Sequence, residues 1–187
     1  MTKRNRPWGY QQGNDEGKPD WQLDPQTLAV RGARVTAVLT SGAAIYEPGG
    51  IDVLALSQHR ARTGDIDGFT AATAILERDF WNAPCELCIL CGDDGCLDVA
   101  RAEQCRARVV VEVGGANITP SAEEVLVRQG IEIVPDVLAG AASDLASALE
   151  WREARLEPSF RKEDLDAHIR KQMTLAARRV RVSSACP

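Results

Sequence analysis

Val109-Val110-Val111-Glu112-Val113, followed by Thr119-Pro120-Ser121-Ala122, is the stretch on which the fold turns. A near-continuous β-branched run suits a parallel strand covered on both faces. Thr119-Pro120 then opens a helix. Ala122, Val125 and Leu126 recur at helical spacing, and the segment stops at Gly130. Working outward, Ile131-Glu132-Ile133-Val134 reads as the next strand and runs into Pro135-Asp136, with helices expected over 141–154 and 162–180. In the last of these, Leu165, Ile169, Met173, Ala176 and Val180 form one apolar stripe. Upstream, Leu87-Cys88-Ile89-Leu90 reads as a strand ending at Gly92, and Asp98 caps a helix running through Arg106. Earlier still, the run Arg34 to Leu39 between Gly32 and Ser41-Gly42 reads as a strand, and a short helix begins over Ile51–Leu56 after the turn Glu47-Pro48-Gly49-Gly50. Strands alternating with helices predict an α/β fold with a mostly parallel sheet.

Composition is that of an ordinary globular chain: 187 residues, 44% hydrophobic and 26% charged. The net charge of −5 supplies no global field for nucleic acid or an anionic membrane, so neither is expected as a partner. Lys3, Arg4 and Arg6 are not followed by an apolar segment, and no run approaches the roughly 18 apolar residues of a membrane span. A cytoplasmic protein is expected. Residues 1–30 differ in texture from 31–187: prolines, glycines and the isolated aromatics Trp8, Tyr10 and Trp21 show no period, which reads as an extended arm preceding one domain.

Several segments carry a resemblance to the glutamate, leucine, phenylalanine and valine dehydrogenases. The stretch from Ala37 through Tyr46-Glu47-Pro48-Gly49-Gly50-Ile51-Asp52 resembles the second strand and following loop of their nucleotide-binding domain, and Thr63-Gly64-Asp65-Ile66-Asp67-Gly68-Phe69 is similar to the next loop. Val110 through Ala122, Gly130 through Ala139, and Ser147-Ala148-Leu149-Glu150-Trp151 follow in the same order. The resemblance implies an incomplete, doubly wound Rossmann-like sheet with flanking helices.

Against that family the cofactor site looks degenerate. The glycine-rich phosphate turn, which needs close backbone approach at a helix N-terminus, has at most a remnant in Gly13-Asn14-Asp15-Glu16-Gly17; a polar loop is the plainer reading. The acid that accepts from the adenosine ribose is replaced by Thr40. Two family asparagines, one near the nicotinamide ribose and one on the carboxamide, match Gly115 and Gly140, while Asn117 lies two positions past the first. Ser147 stands at the place of a hydroxyl on the substrate carboxylate, although a small residue on a packed helix face would look the same. The family's catalytic lysine and aspartate belong to a preceding domain, and only 31 residues precede Gly32. In a sheet ordered 3-2-1-4-5-6 the first strand is central, and it too is expected to be missing. Three repairs are open: a degenerate strand around Trp8-Gly9-Tyr10, direct pairing of the flanking strands, or a partner in the gap. The aromatic residues of the arm favour the first or the last.

Cys85, Cys88, Cys91 and Cys96 have superficially iron–sulfur-like spacing. On a strand, however, Cys85 and Cys91 face one way and Cys88 the other, so chelation would require a loop. His59 and His168 read as solvated helix positions. The basic residues of the last third, including Arg170, Lys171, Arg178 and Arg179, read as a solvated face or a docking surface for an acidic partner. The leading expectation is a catalytically inactive dehydrogenase-like subunit of a larger protein assembly, structural or regulatory, contacted through the arm (Trp8, Tyr10, Trp21) and the basic C-terminal helix. It binds no cofactor, or NAD(H) weakly. The alternatives are a split NAD-dependent amino-acid dehydrogenase with its substrate domain on another chain, and a redox module built on an Fe–S or Zn cysteine cluster.

Overall fold

A computed structural model of the chain describes Ala29 and residues 32–91, 94–113, 115–142, 145, 148 and 162–184. Among these residues the strands form two three-stranded sheets. The first is antiparallel: β1 (Ala37–Leu39), β2 (Ala44–Tyr46) and β3 (Thr73–Ile75), in that order, with Val38 opposite Ile45 and Ile45 opposite Ala74. The second is parallel: β4 (Cys85–Leu90), β5 (Ala107–Glu112) and β6 (Glu132–Val134), with Cys88 opposite Val110 and Val110 opposite Ile133. The helices are α1 (Val53–Thr63), α2 (Glu77–Asn82), α3 (Val99–Gln104), α4 (Pro120–Arg128), α5 (Asp136–Ala139) and α6 (Lys162–Ser184).

The parallel half follows the sequence reading closely. Asp98 Oδ1 accepts from the Arg101 amide at 2.9 Å and caps α3. Thr119 Oγ1 accepts from Ala122 N and caps α4, with Pro120 in its first turn. The periodic residues Ala122, Val125 and Leu126 are all buried, and they join Cys88, Leu90, Val110, Ala102 and Trp81 in the main core. Gly130 ends that unit at φ 76, a left-handed turn that glycine adopts without a Cβ clash.

The antiparallel sheet is where the structure differs. The strand expected over 34–39 is only Ala37–Leu39, and it pairs with a strand that has no sequence period. The chain reverses at Thr40–Ala43, so Ala44–Tyr46 runs back along β1 instead of crossing over. A separate small core of Ile45, Ile51, Leu56, Ile66 and Phe69 lies with this sheet. Two short helices, α2 and α5, were not expected either. In α6, Ile169 is fully buried against Ala142 with Met173 and Leu145 beside it, which is part of the stripe predicted for this helix.

Among the described residues β1 and β4 are each the outer strand of their sheet, and no ladder joins them. Direct pairing of β1 with β4, one of the three repairs expected from sequence, is therefore not found among the described residues. Leu39 of β1 nevertheless packs against the main core cluster, to which Cys88 and Leu90 of β4 belong, so the two sheets meet through side chains. Residues 1–28, with Trp8, Tyr10 and Trp21, lie outside the described residues.

Candidate nucleotide site at the strand ends

In an open α/β sheet, ligands bind beyond the carboxyl ends of the strands. Here those ends carry Thr40 after β1, Cys91 and Asp94 after β4, Gly115 after β5, and Asp136 to Gly140 after β6. Gly13, Gly17 and Ser147 lie outside the described residues.

The loops after β4 and β5 are laced together. Gly95 N donates to Ala116 O at 2.8 Å, Leu97 N to Asn117 O at 2.9 Å and Thr119 N to Leu97 O at 3.1 Å. Beneath them the buried Glu112 accepts from Ile118 N at 2.8 Å and fixes the course of the β5 loop. Asn117 is fully buried in this loop, with Nδ2 4.0 Å from where a Cβ on Gly115 would lie. A Cβ built on Gly115 would lie 2.7 Å from Oδ1 of the exposed Asp94. At Gly140 a Cβ would meet the Asp136 carbonyl oxygen at 3.0 Å, because Gly140 N closes the end of α5 onto that carbonyl.

Thr40 has a different setting. Its Oγ1 accepts from Ala43 N at 3.1 Å and Gly42 N at 3.3 Å, closing the turn after β1. Its proton goes to Asp65 Oδ1 at 2.8 Å, with the Ala43 carbonyl a longer alternative at 3.3 Å. Asp65 Oδ1 also accepts from Ile66 N at 2.7 Å. That amide, the Thr40 hydroxyl and the nearby Arg60 charge hold the Asp65 carboxyl below the usual carboxylate range. Asp65 was given no role from sequence. Its only signal is a position just past Gly64, the left-handed cap of α1, and the 25 residues that separate it from Thr40 hide the contact.

The cysteines follow strand geometry. Cys88 is buried, and Cys85 and Cys91 are half-buried at the two ends of the β4 run. Burial pushes the Cys88 thiol far up and the Cys91 thiol up to about 11, each further raised by neighbouring cysteines. Among the described residues no three His, Cys, Asp or Glu side chains converge as a metal-holding group. His168 is exposed as expected, whereas His59 is half-buried, edge-on to Phe69, with Nε2 2.8 Å from Asp67 O. Arg170, Lys171, Arg178 and Arg179 are exposed on α6, and no described helix is long and apolar enough to cross a membrane.

The parallel sheet with its flanking helices, and with polar groups gathered at its strand ends, has the architecture of a Rossmann-like α/β domain. Comparison with known proteins is more specific. Residues 24–185 match the family profile described as glutamate/leucine/phenylalanine/valine dehydrogenase, and the chain belongs to that family. It is 33% identical over 129 residues to the NADP-specific glutamate dehydrogenase A1 of Halobacterium salinarum, a match covering 68% of this chain and 31% of that protein. It is 32% identical over 120 residues to a glutamate dehydrogenase of Thermotoga maritima, covering 64% and 29%. Among solved structures, the hetero-hexameric glutamate dehydrogenase of Thermus thermophilus in its leucine-bound form superposes with a TM-score of 0.70 at 30% identity, over 78% of this chain and 34% of that one. The chain thus spans about a third of the length of these relatives.

Beside the end of β1 stands the Asp65 carboxylate; among the described residues the β5 and β6 ends carry Gly115 and Gly140, with Asp94 Oδ1 2.7 Å and Asn117 Nδ2 4.0 Å from where a Cβ on Gly115 would lie.

Proposed function

We propose that this chain is a glutamate-dehydrogenase-like subunit that does not transfer hydride itself and serves a structural or regulatory role in a larger protein assembly. The observation that carries this reading is the Asp94 carboxylate lying where a side chain at Gly115 would project. Hydride transfer requires the nicotinamide ring to be held about 3–3.5 Å from the reacting carbon and aligned with it, and a misplacement of about 1 Å is already costly. Glycines at 115 and 140 offer no side-chain donor for that, and the aspartate adds an acceptor where a neutral amide would serve. The assembly half of the reading is supported by β4, which among the described residues is an outer strand with Leu87 44% exposed on it, since an open parallel strand with apolar side chains is ordinarily covered. It is also supported by the solved relative, which is a hetero-hexamer.

The test uses the full purified chain with L-glutamate and, separately, L-leucine, L-phenylalanine and L-valine, each with NAD+ and NADP+, following nicotinamide absorbance. No reduction is expected, and turnover by the chain alone would overturn the proposal. Affinity purification from the native source followed by native mass spectrometry is expected to show a stable complex with a second polypeptide. Recovery of the chain only as a monomer would remove the subunit role.

A further inference from the structure

The helix α6 is anchored by Ile169, which is fully buried beside Ala142 with Leu145 and Met173 packed against the pair. Its apolar stripe continues past that anchor: Met173 and Ala176 are only half-buried, and Leu175 is 40% exposed. Together with Ala141 and Leu145 these residues line an open hollow of about 270 Å³, with Arg179 also in its wall. That volume lies below the roughly 300–1,000 Å³ of small-molecule pockets and suits inserted side chains. The charge around the hollow has one sign. Lys171 lies just before the lining residues of α6 and Arg178 and Arg179 at their end, all three exposed, and no acidic residue occurs from Ala167 through Arg179. The chain as a whole carries −5, so these cations run against its general charge. Lys171 and Arg178 stand two turns, about 10 Å, apart on one side of the helix.

Two copies of α6 facing each other across a twofold axis would set these cations against themselves, which disfavours a second copy on the same face. A nucleic-acid backbone would meet the cations and leave the apolar hollow unfilled. We propose that this face of α6 receives an acidic amphipathic helix of a partner polypeptide, its apolar side chains seated among Leu145, Met173 and Leu175 and its carboxylates against Lys171, Arg178 and Arg179. A helix laid in a groove presents apolar anchors at i, i+3 or i+4 and i+7. Carboxylates flanking those anchors, two turns apart, fix the register and speed the encounter. The inference rests on the subunit reading above and specifies the chemistry of the partner.

The experiment is fluorescence anisotropy of the full chain with a labelled synthetic helix that carries leucines between two pairs of glutamates set two turns apart. Saturable binding is expected, about ten-fold weaker in about 0.5 M than in about 0.1 M salt, because exposed charges are screened. A counterpart with lysines for the glutamates, and one with glutamines for the leucines, are each expected to bind at least about ten-fold more weakly. Arg178→Glu with Arg179→Glu, and separately Leu175→Ala, are expected to cut binding of the acidic helix about ten-fold or more at a wild-type thermal midpoint. Arg62→Glu with Arg106→Glu, at exposed positions elsewhere, is expected to leave it unchanged. No binding of the acidic helix, equal binding of its lysine counterpart, or tighter association with phosphatidylserine vesicles would each overturn the assignment. Self-association that Leu175→Ala abolishes would do the same. In the native complex the Arg178→Glu/Arg179→Glu variant is expected to lose its partner. A complex that persists would sink this inference and leave the subunit role standing, whereas a monomer that still binds the acidic helix would do the reverse.

Discussion

At the residue scale the thiols show how burial decides chemistry. Cys88 faces the core between Leu90 and Val110, and desolvation of a thiolate there keeps the proton on sulfur. Cys85 and Cys105 are raised for the same leading reason. A protonated thiol is a poor nucleophile and metal ligand. Iodoacetamide at pH 8 is therefore expected to leave Cys88 unmodified in the native chain and to label it in urea, read by peptide mass spectrometry; rapid native labelling would contradict the burial. Cys91 gives a pH dependence. In the folded chain it holds its proton to about 11, whereas in the unfolded chain it releases it near 9.0. Over that interval the unfolded state binds fewer protons, so stability falls as pH rises. Urea midpoints measured from pH 8 to 11 should decline, and Cys91→Ser should make the decline shallower.

At the scale of elements, the helices are set by their first residues. Asp52, Asp98 and Thr119 each close a helix start by accepting an amide at 3.0, 2.9 and 3.3 Å. Removing such a cap costs about 1 kcal/mol. Asp98→Ala is expected at or above that value, because Asp98 also faces Arg101, whose guanidinium holds Glu77 at 2.7 Å and Cys96 O at 3.0 Å and thereby ties α2 to α3. In α4 the contrast is between Leu126, fully buried, and Val127, 63% exposed. Leu126→Ala should cost about 2–5 kcal/mol, and Val127→Ala should fall within about 0.5 kcal/mol of wild type. Urea unfolding of the two variants checks this; similar losses would mean that α4 does not pack as described. These elements were legible because a cap followed by helical spacing repeats one signal over many residues. The strands β2 and β3, each three residues long, offer no such repetition.

At the scale of the whole molecule, the two sheets have unequal foundations. The parallel sheet rests on a core that includes Leu97, Val110, Ala122 and Leu126 at full burial, with α3 and α4 packed on it. The antiparallel sheet rests on the smaller group around Ile45 and Ile66, and its outer strand β3 has Thr73 and Ala74 exposed. Local opening costs least where few apolar contacts must break. Hydrogen exchange followed by mass spectrometry should therefore find peptides of β5 and α4 the slowest and those of β2 and β3 faster by at least an order of magnitude. Uniform protection would show that the two sheets open as one unit. The region expected to open more readily is also the one that presents Thr40 and Asp65.

From the order of residues alone came the parallel half with its capped helices and, through collinear segments, the family. These properties are written locally, in caps, periods and near-continuous apolar runs, so neighbouring residues are enough to reveal them. The resemblance also drew attention to Thr40, Gly115 and Gly140. It did not say what stands beside them. Asp65 meets Thr40 across 25 residues and Asp94 reaches over Gly115 across two loops, contacts that exist only once turns and backbone ladders have brought distant segments together. The antiparallel hairpin belongs to the same class, because a three-residue strand is defined by its hydrogen-bonded partner and not by its own side chains.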